Sequence, residues 1–238
     1  MGIKKHIPNS ITCMNLISGG IACVMASRQE FYLAALFIYL AAVFDFFDGM
    51  SARLLHVSSE IGKELDSLAD DISFGLAPGM ILYVWLSSNA SCADSGCWVP
   101  FLCFIISAFA AVRLAKFNLD TRQTSSFIGL PTPAMSILTA STIALLDSRS
   151  DCNFELLRSL ASNPVVVLAY VALMSWLMVC ELPMFSLKFK NLKWQGNEAK
   201  FILIGCSVIL LAALQLTAIP LIIVLFILMS VVLWLKNK

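Results

Sequence analysis

Charged side chains are scarce in this chain. Asp, Glu, Lys and Arg make up 13% of its 238 residues, against 59% hydrophobic. Soluble globular domains carry about a quarter charged residues, so the composition excludes an ordinary soluble domain and leaves a protein whose surplus apolar surface faces lipid. The basic residues form no run able to track a phosphate backbone and the net charge is +1, so nucleic acid is not an expected partner. Histidine is nearly missing, with His6 and His56 alone, and neither is an expected metal ligand. The eight cysteines show no zinc-site spacing. Cys13, Cys23, Cys103, Cys180 and Cys206 lie in apolar runs, where cysteine packs as a small inert side chain. Cys92 and Cys97 share a polar loop, and their pairing depends on which side of the membrane that loop faces.

Long apolar runs are what the chain does have. A membrane crossing needs roughly 20 apolar residues to traverse ~30 Å of hydrocarbon. Eight candidates satisfy or approach this, at about 10–27, 32–52, 67–87, 98–117, 132–147, 163–184, 199–215 and 218–235. The N-terminal stretch lacks a small-residue cleavage site and reads as a retained first helix. With the N-terminus in the cytoplasm, the inner segments hold Lys4, Lys5, Arg53, Lys63, Arg113, Lys116, Arg122, Lys188, Lys190, Lys193, Lys200, Lys236 and Lys238. The outer segments hold only Arg28, Arg149 and Arg158. This bias predicts an all-α, polytopic helical bundle of about eight transmembrane helices with both termini cytoplasmic. It is expected to be one transmembrane domain over 1–238, with a catalytic core at 1–147 and additional C-terminal helices at 163–238.

Against that apolar background stands "DFFDGMSARLLHVSSEIGKELDSLADD", Asp45 to Asp71. Asp45 and Asp48 are three residues apart at the cytoplasmic end of the second span, and Asp66 and Asp70 are four apart at the start of the third. Both spacings place a pair on one helical face. A short connection containing Gly62 makes the two helices antiparallel neighbours, so four carboxylates converge at one depth. Each costs roughly 2.5–3.5 kcal/mol at a helix centre and less near the interface. Arg53 and Lys63 are too few to offset four. Divalent cations do so economically, and an all-oxygen donor set favours Mg²⁺, Mn²⁺ or Ca²⁺. Gly49, Ser51 and Ala52 leave room for close approach of a ligand, and Arg53 can meet a phosphate. The residues alone therefore predict a cytoplasm-facing, metal-assisted phosphotransfer site.

The spacing Asp45-x2-Asp48-Gly49-x2-Ala52-Arg53-x8-Gly62-x3-Asp66-x3-Asp70 resembles the signature of the CDP-alcohol phosphatidyltransferase family at every fixed position. Asp71 falls outside it. The resemblance implies transfer of a phosphatidyl group from CDP-diacylglycerol to an alcohol, with release of CMP and use of two divalent metals, Mg²⁺ or Mn²⁺. It implies Asp45, Asp48 and Asp66 as ligands, with Asp70 either ligating the second metal or acting as the catalytic base. Gly49, Ala52, Arg53 and Gly62 would line the CDP pocket. Asn9, Thr12 and Asn15, at the cytoplasmic end of the first span, are further candidates for nucleotide contact, with helix capping by Asn9 as the simpler role.

Four more stretches, "PNSITCMNLISG" (Pro8 to Gly19), "SFGLAPG" (Ser73 to Gly79), "RLAKFN" (Arg113 to Asn118) and "FIGLPTPA" (Phe127 to Ala134), resemble the membrane-embedded phosphatidylserine synthase branch of that family. The resemblance covers most of residues 8–134, and the last three spans are generic. It implies L-serine as the acceptor. Serine carries a carboxylate, for which Arg113, Lys116, Asn118 and Arg122 are candidates, positive-inside anchoring being their plainer role. Lys116 departs from the Arg expected there, which keeps charge but loses bidentate geometry. A homodimer in a bacterial inner membrane, active site toward the cytoplasm, is the expected setting. Two alternatives remain open: the same chemistry on glycerol 3-phosphate or inositol, and, more distantly, a divalent-cation transporter.

Overall fold

The computed structural model describes residues 6–57, 59–89, 97–120, 127–147, 154–184 and 197–236. They are almost wholly helical. Helix α1 runs His6–Ser27 and α2 Phe31–Leu54. Helix α3, Glu60–Asp70, passes through a π-helical turn at Asp71–Leu76 into α4, Ala77–Asn89. A 3₁₀ turn at Val99–Phe104 leads into α5, Ile105–Leu119. There follow α6, Thr132–Leu146, the short α7, Glu155–Ala161, and α8, Pro164–Val179. Helix α9, Glu198–Leu214, continues through a 3₁₀ turn at Gln215–Ala218 into α10, Ile219–Lys236. Two short strands, β1 Phe127–Ile128 and β2 Pro183–Met184, pair antiparallel.

Helices lie over all eight apolar stretches, but fewer are built to cross a membrane unaided. Among the described residues four helical runs are long and apolar enough: His6–Ser27, Phe31–Leu54, Val99–Leu119 and Glu198–Lys236. A fifth arises if α7 and α8, which meet at 75°, count as one broken span. Helix α6 is shorter than a crossing requires. The expected third span also starts earlier than its apolar run, at Glu60 and not at 67. The Ser59 hydroxyl accepts the Gly62 N–H at 3.0 Å and caps the helix there.

Both ends of α1 and α2 that face the connections close with the same device. Gln29 (φ 60°) follows α1; its N–H reaches the Ala26 carbonyl and the Glu30 N–H reaches Met25. His56 (φ 51°) follows α2; its N–H reaches Arg53 and the Val57 N–H reaches Ala52. These are Schellman closures with a side-chain-bearing residue where glycine is usual. His56 is thus a helix terminator.

The core is built from small side chains. Ala22, Ala26, Ala34, Ala35 and Ala41 are buried where α1 packs on α2, which lets the backbones approach as in other membrane interfaces. Gly19 extends this to the π turn: a β-carbon there would stand 2.6 Å from the Ser73 Cα. The π turn leaves carbonyls without their usual helical donors, and neighbouring serines supply them. Ser107 donates to the Gly75 carbonyl at 2.8 Å and Ser136 to that of Ser73 at 3.4 Å.

The ends of the bundle are chemically distinct. At one end Phe31 stacks edge-on against Trp85, whose indole N–H donates to the Ala161 carbonyl at 2.9 Å. The other end gathers the start of α1, the end of α2, the start of α3, the end of α5, the start of α6 and the end of α8. All the acids of the motif lie there.

Candidate active site

Helical periodicity brings the Asp45 and Asp48 side chains of α2 to one face, and α3 presents Asp66 toward them. One carboxylate oxygen from each of the three lies within 4.8 Å of the other two. Asp48 is 6% exposed, and its Oδ2 accepts the Thr12 hydroxyl at 2.7 Å. The Asp66 Oδ1 is buried without a hydrogen-bond partner. The trio forms a compact all-oxygen cluster with an orphaned buried acceptor. That donor set fits a hard divalent cation such as Mg²⁺ or Mn²⁺ and does not suit zinc or copper.

Asp70, the last residue of α3, stands just beside this trio. Its charge interacts with those of Asp45, Asp66 and Asp48. Its Oδ1 accepts the Asn15 side-chain N–H at 3.0 Å. Asn15 is fully buried, its own carbonyl accepts the Ser73 hydroxyl at 3.0 Å, and its Oδ1 has no partner. Thus α1 contacts both acid pairs, through Thr12 to α2 and through Asn15 to α3. The basic residues of the motif are engaged with backbone: the Arg53 Nε donates to the Gly49 carbonyl at 2.9 Å, and the Lys63 Nζ to the Asn118 carbonyl at 3.0 Å.

A cavity of about 250 Å³ opens onto Asp48 and Asp66. Of the residues expected to contact nucleotide, Asn9, Thr12, Gly49, Ala52 and Gly62 line it. Arg53 does not, and Asn15 lies deeper, on Asp70. A β-carbon at Gly49 would meet nothing within 4 Å, so glycine there keeps the cavity open. A β-carbon at Gly62 would stand 2.9 Å from the Ser59 Oγ and 3.0 Å from the Asn9 Oδ1. Pro8, Val57, Ser59 and Lys63 also line the cavity and were not legible as site residues. Ser59 carried a signal, being a capping residue three before Gly62; Val57 carried none.

A second cavity, of about 340 Å³, lies against the end of α5 and is lined by Arg113 and Lys116. Arg113 is 7% exposed; its Nη1 donates to the Thr132 hydroxyl at 3.3 Å and its Nε has no partner. The guanidinium carbon sits 5.8 Å from the Phe117 ring centroid, and its charge interacts with that of Asp70. Asn118 is placed differently from Arg113 and Lys116. Its side-chain N–H donates to the Ser67 hydroxyl at 2.7 Å, which ties α5 to α3 outside this cavity. Arg122 and Cys92 lie outside the described residues. Asp71, beyond the motif, sits in the π turn with a buried, unpartnered Oδ1 against Gly75.

The sequence is similar to known proteins over most of its length. A family model described as CDP-alcohol phosphatidyltransferase matches residues 5–185. Proteins named CDP-diacylglycerol–serine O-phosphatidyltransferase from two strains of Helicobacter pylori are 32% identical over 230 and 210 residues. These matches cover 96% and 87% of this chain and 90% and 83% of the relatives. A Bacillus subtilis protein of the same name is 37% identical over 130 residues, 54% of this chain and 70% of its own. The similarity runs past residue 134 into the C-terminal helices, further than the motifs indicated. With the acid trio, the adjoining cavity and a family match over residues 5–185, this chain belongs to the CDP-alcohol phosphatidyltransferase family.

Proposed function

We propose that this protein transfers the phosphatidyl group of CDP-diacylglycerol to the hydroxyl of L-serine, giving phosphatidylserine and CMP. The observation that carries the reading is the approach of Asp45, Asp48 and Asp66 to within 4.8 Å beside a cavity lined by small and polar residues. The names of the relatives support serine as acceptor.

Asn9, Thr12, Ser59 and Lys63 present polar groups to the nucleotide diphosphate in the first cavity, while Gly49 and Ala52 admit it closely. Asp45, Asp48 and Asp66, joined by Asp70, would hold two Mg²⁺ or Mn²⁺ ions, which when bound supply charge compensation to the diphosphate and the departing CMP. Asp70 takes the proton of the serine hydroxyl as that oxygen bonds to the phosphorus bearing diacylglycerol. The bond from that phosphorus to CMP breaks and CMP keeps the electron pair. The Asn15 N–H on Oδ1 leaves the second Asp70 oxygen for the acceptor. Transfer is direct in this reading. Arg113 and Lys116, with Arg122, meet the serine carboxylate, and Arg53 contributes charge at the diphosphate entrance.

The fuller setting belongs to the same proposal: eight crossings with both termini and the site toward the cytoplasm of a bacterial inner membrane, as a homodimer. Incubating the protein with CDP-diacylglycerol and serine, glycerol 3-phosphate or inositol in turn, with product lipids identified by mass, tests the acceptor. Phosphatidylserine is the expected product; another phosphatidyl lipid would replace serine with a different alcohol. Metal uptake into vesicles without lipid turnover would favour a cation transporter instead. The gathering of the motif acids at one end of the bundle speaks against that path.

A further inference from the structure

We infer that Asp120 and Glu181 form the ammonium half of the acceptor pocket and select a zwitterionic alcohol. The inference rests on the serine reading of the acceptor. Both residues line the 340 Å³ cavity that Arg113 and Lys116 also line, so two acidic and two basic residues surround this space. Purely anionic acceptors need only the bases, and neutral ones need neither. An α-amino acid needs both signs, and residues of both signs line this cavity.

The acids arrive from two separate elements. Asp120 ends α5, one helical turn beyond Lys116, to whose carbonyl its N–H donates at 3.0 Å. Glu181 follows α8 on a segment held by the β1–β2 pairing, Phe127 opposite Met184 and Ile128 opposite Pro183. The Gly129 N–H donates to the Leu182 carbonyl at 2.9 Å and the Leu130 N–H to that of Leu177 at 2.8 Å, on either side of Glu181. Gly129 has φ +76°, and a β-carbon there would stand 2.4 Å from the Met178 carbonyl oxygen, so only glycine lets the strap close this tightly. The strap thereby holds Glu181 at the rim of the pocket. Arg113, which lines the same cavity, is buried with an Nε that has no partner, and a ligand carboxylate is the natural complement of such a guanidinium. A phosphorylated alcohol would set its two negative charges against both acids and is disfavoured.

The test compares L-serine with 3-hydroxypropanoate, which is serine without its ammonium group, as acceptors for the full-length protein and CDP-diacylglycerol. In D120N/E181Q the ratio of kcat/KM for serine to that for 3-hydroxypropanoate is expected to fall by about tenfold or more, chiefly through KM for serine. Glu181→Asp should recover part of that ratio. CDP-diacylglycerol binding reports that each variant is folded, and because Glu181 is exposed, E181Q alone supplies the measurement if the double variant does not bind. A ratio within about twofold of wild type in E181Q and D120N/E181Q, where the enzyme does use serine, overturns the ammonium site. A wild-type enzyme that releases CMP with another alcohol and not with serine overturns the acceptor reading itself.

Discussion

The side-chain N–H of Asn15 lies 3.0 Å from the Asp70 Oδ1, across a gap that joins the first helix to the third. It gives Asp70 one fixed oxygen and one available oxygen. Asn15→Ala removes a hydrogen bond to a charged group, worth about 1.5–3 kcal/mol. The expected result is a loss of about 10- to 100-fold in kcat, with a smaller change in KM for CDP-diacylglycerol. CMP release under saturating substrates measures it, and a rate within twofold of wild type would show that Asp70 needs no positioning.

Asp70→Asn keeps the size and the Asn15 contact on one side while removing the base. CMP release should vanish while binding of CDP-diacylglycerol, followed by protection from thermal unfolding, is largely retained. Full turnover by this variant would remove Asp70 from the chemistry.

Because Asp45, Asp48 and Asp66 share one small volume, a bound divalent cation should stabilise the fold as well as support turnover. Chelation is expected to abolish CMP release and lower Tm, and either Mg²⁺ or Mn²⁺ should restore both. In Asp66→Asn the rise of Tm on adding metal should be much reduced. An enzyme indifferent to chelator in both readouts would contradict the metal site.

Gly49→Leu separates occupancy of the cavity from folding. Gly49 lines the cavity and a β-carbon there meets nothing within 4 Å, so a leucine is accommodated without a clash and is expected to narrow the space assigned to the nucleotide. Tm should change little and the metal-dependent rise in Tm should persist, while affinity for CDP-diacylglycerol falls by about tenfold or more, as expected for a blocked subsite. Unaltered lipid affinity would place the nucleotide elsewhere.

Gly19→Ala probes the close packing beneath the site. Its β-carbon would stand 2.6 Å from the Ser73 backbone, and overpacking of this kind costs about 1–3 kcal/mol. Lower Tm with impaired turnover is expected, because Ser73 also bonds the Asn15 carbonyl.

The sequence by itself determined the composition of the site and the order of the helices. Paired aspartates at spacings of three and four, set between apolar runs, dictated a shared helical face because helical periodicity is local. Short connections between successive apolar runs likewise make neighbouring helices antiparallel, and the Thr12 to Asp48 contact joins the start of α1 to the end of α2. What only the tertiary structure decided were relations between residues distant along the chain. Asn118 donates to the Ser67 hydroxyl and does not line the second cavity, a pairing of residues 51 apart in the chain. Arg53 folded back on its own helix, and Val57 reached the first cavity because the chain turns at His56. Glu181 came to line one cavity with Arg113 because α5 packs on α8 and a two-residue strand pair holds the segment after α8. No period in the sequence encodes such an approach; it depends on how closely the helices pack, which glycines at positions 19 and 129 permit and a single β-carbon would prevent.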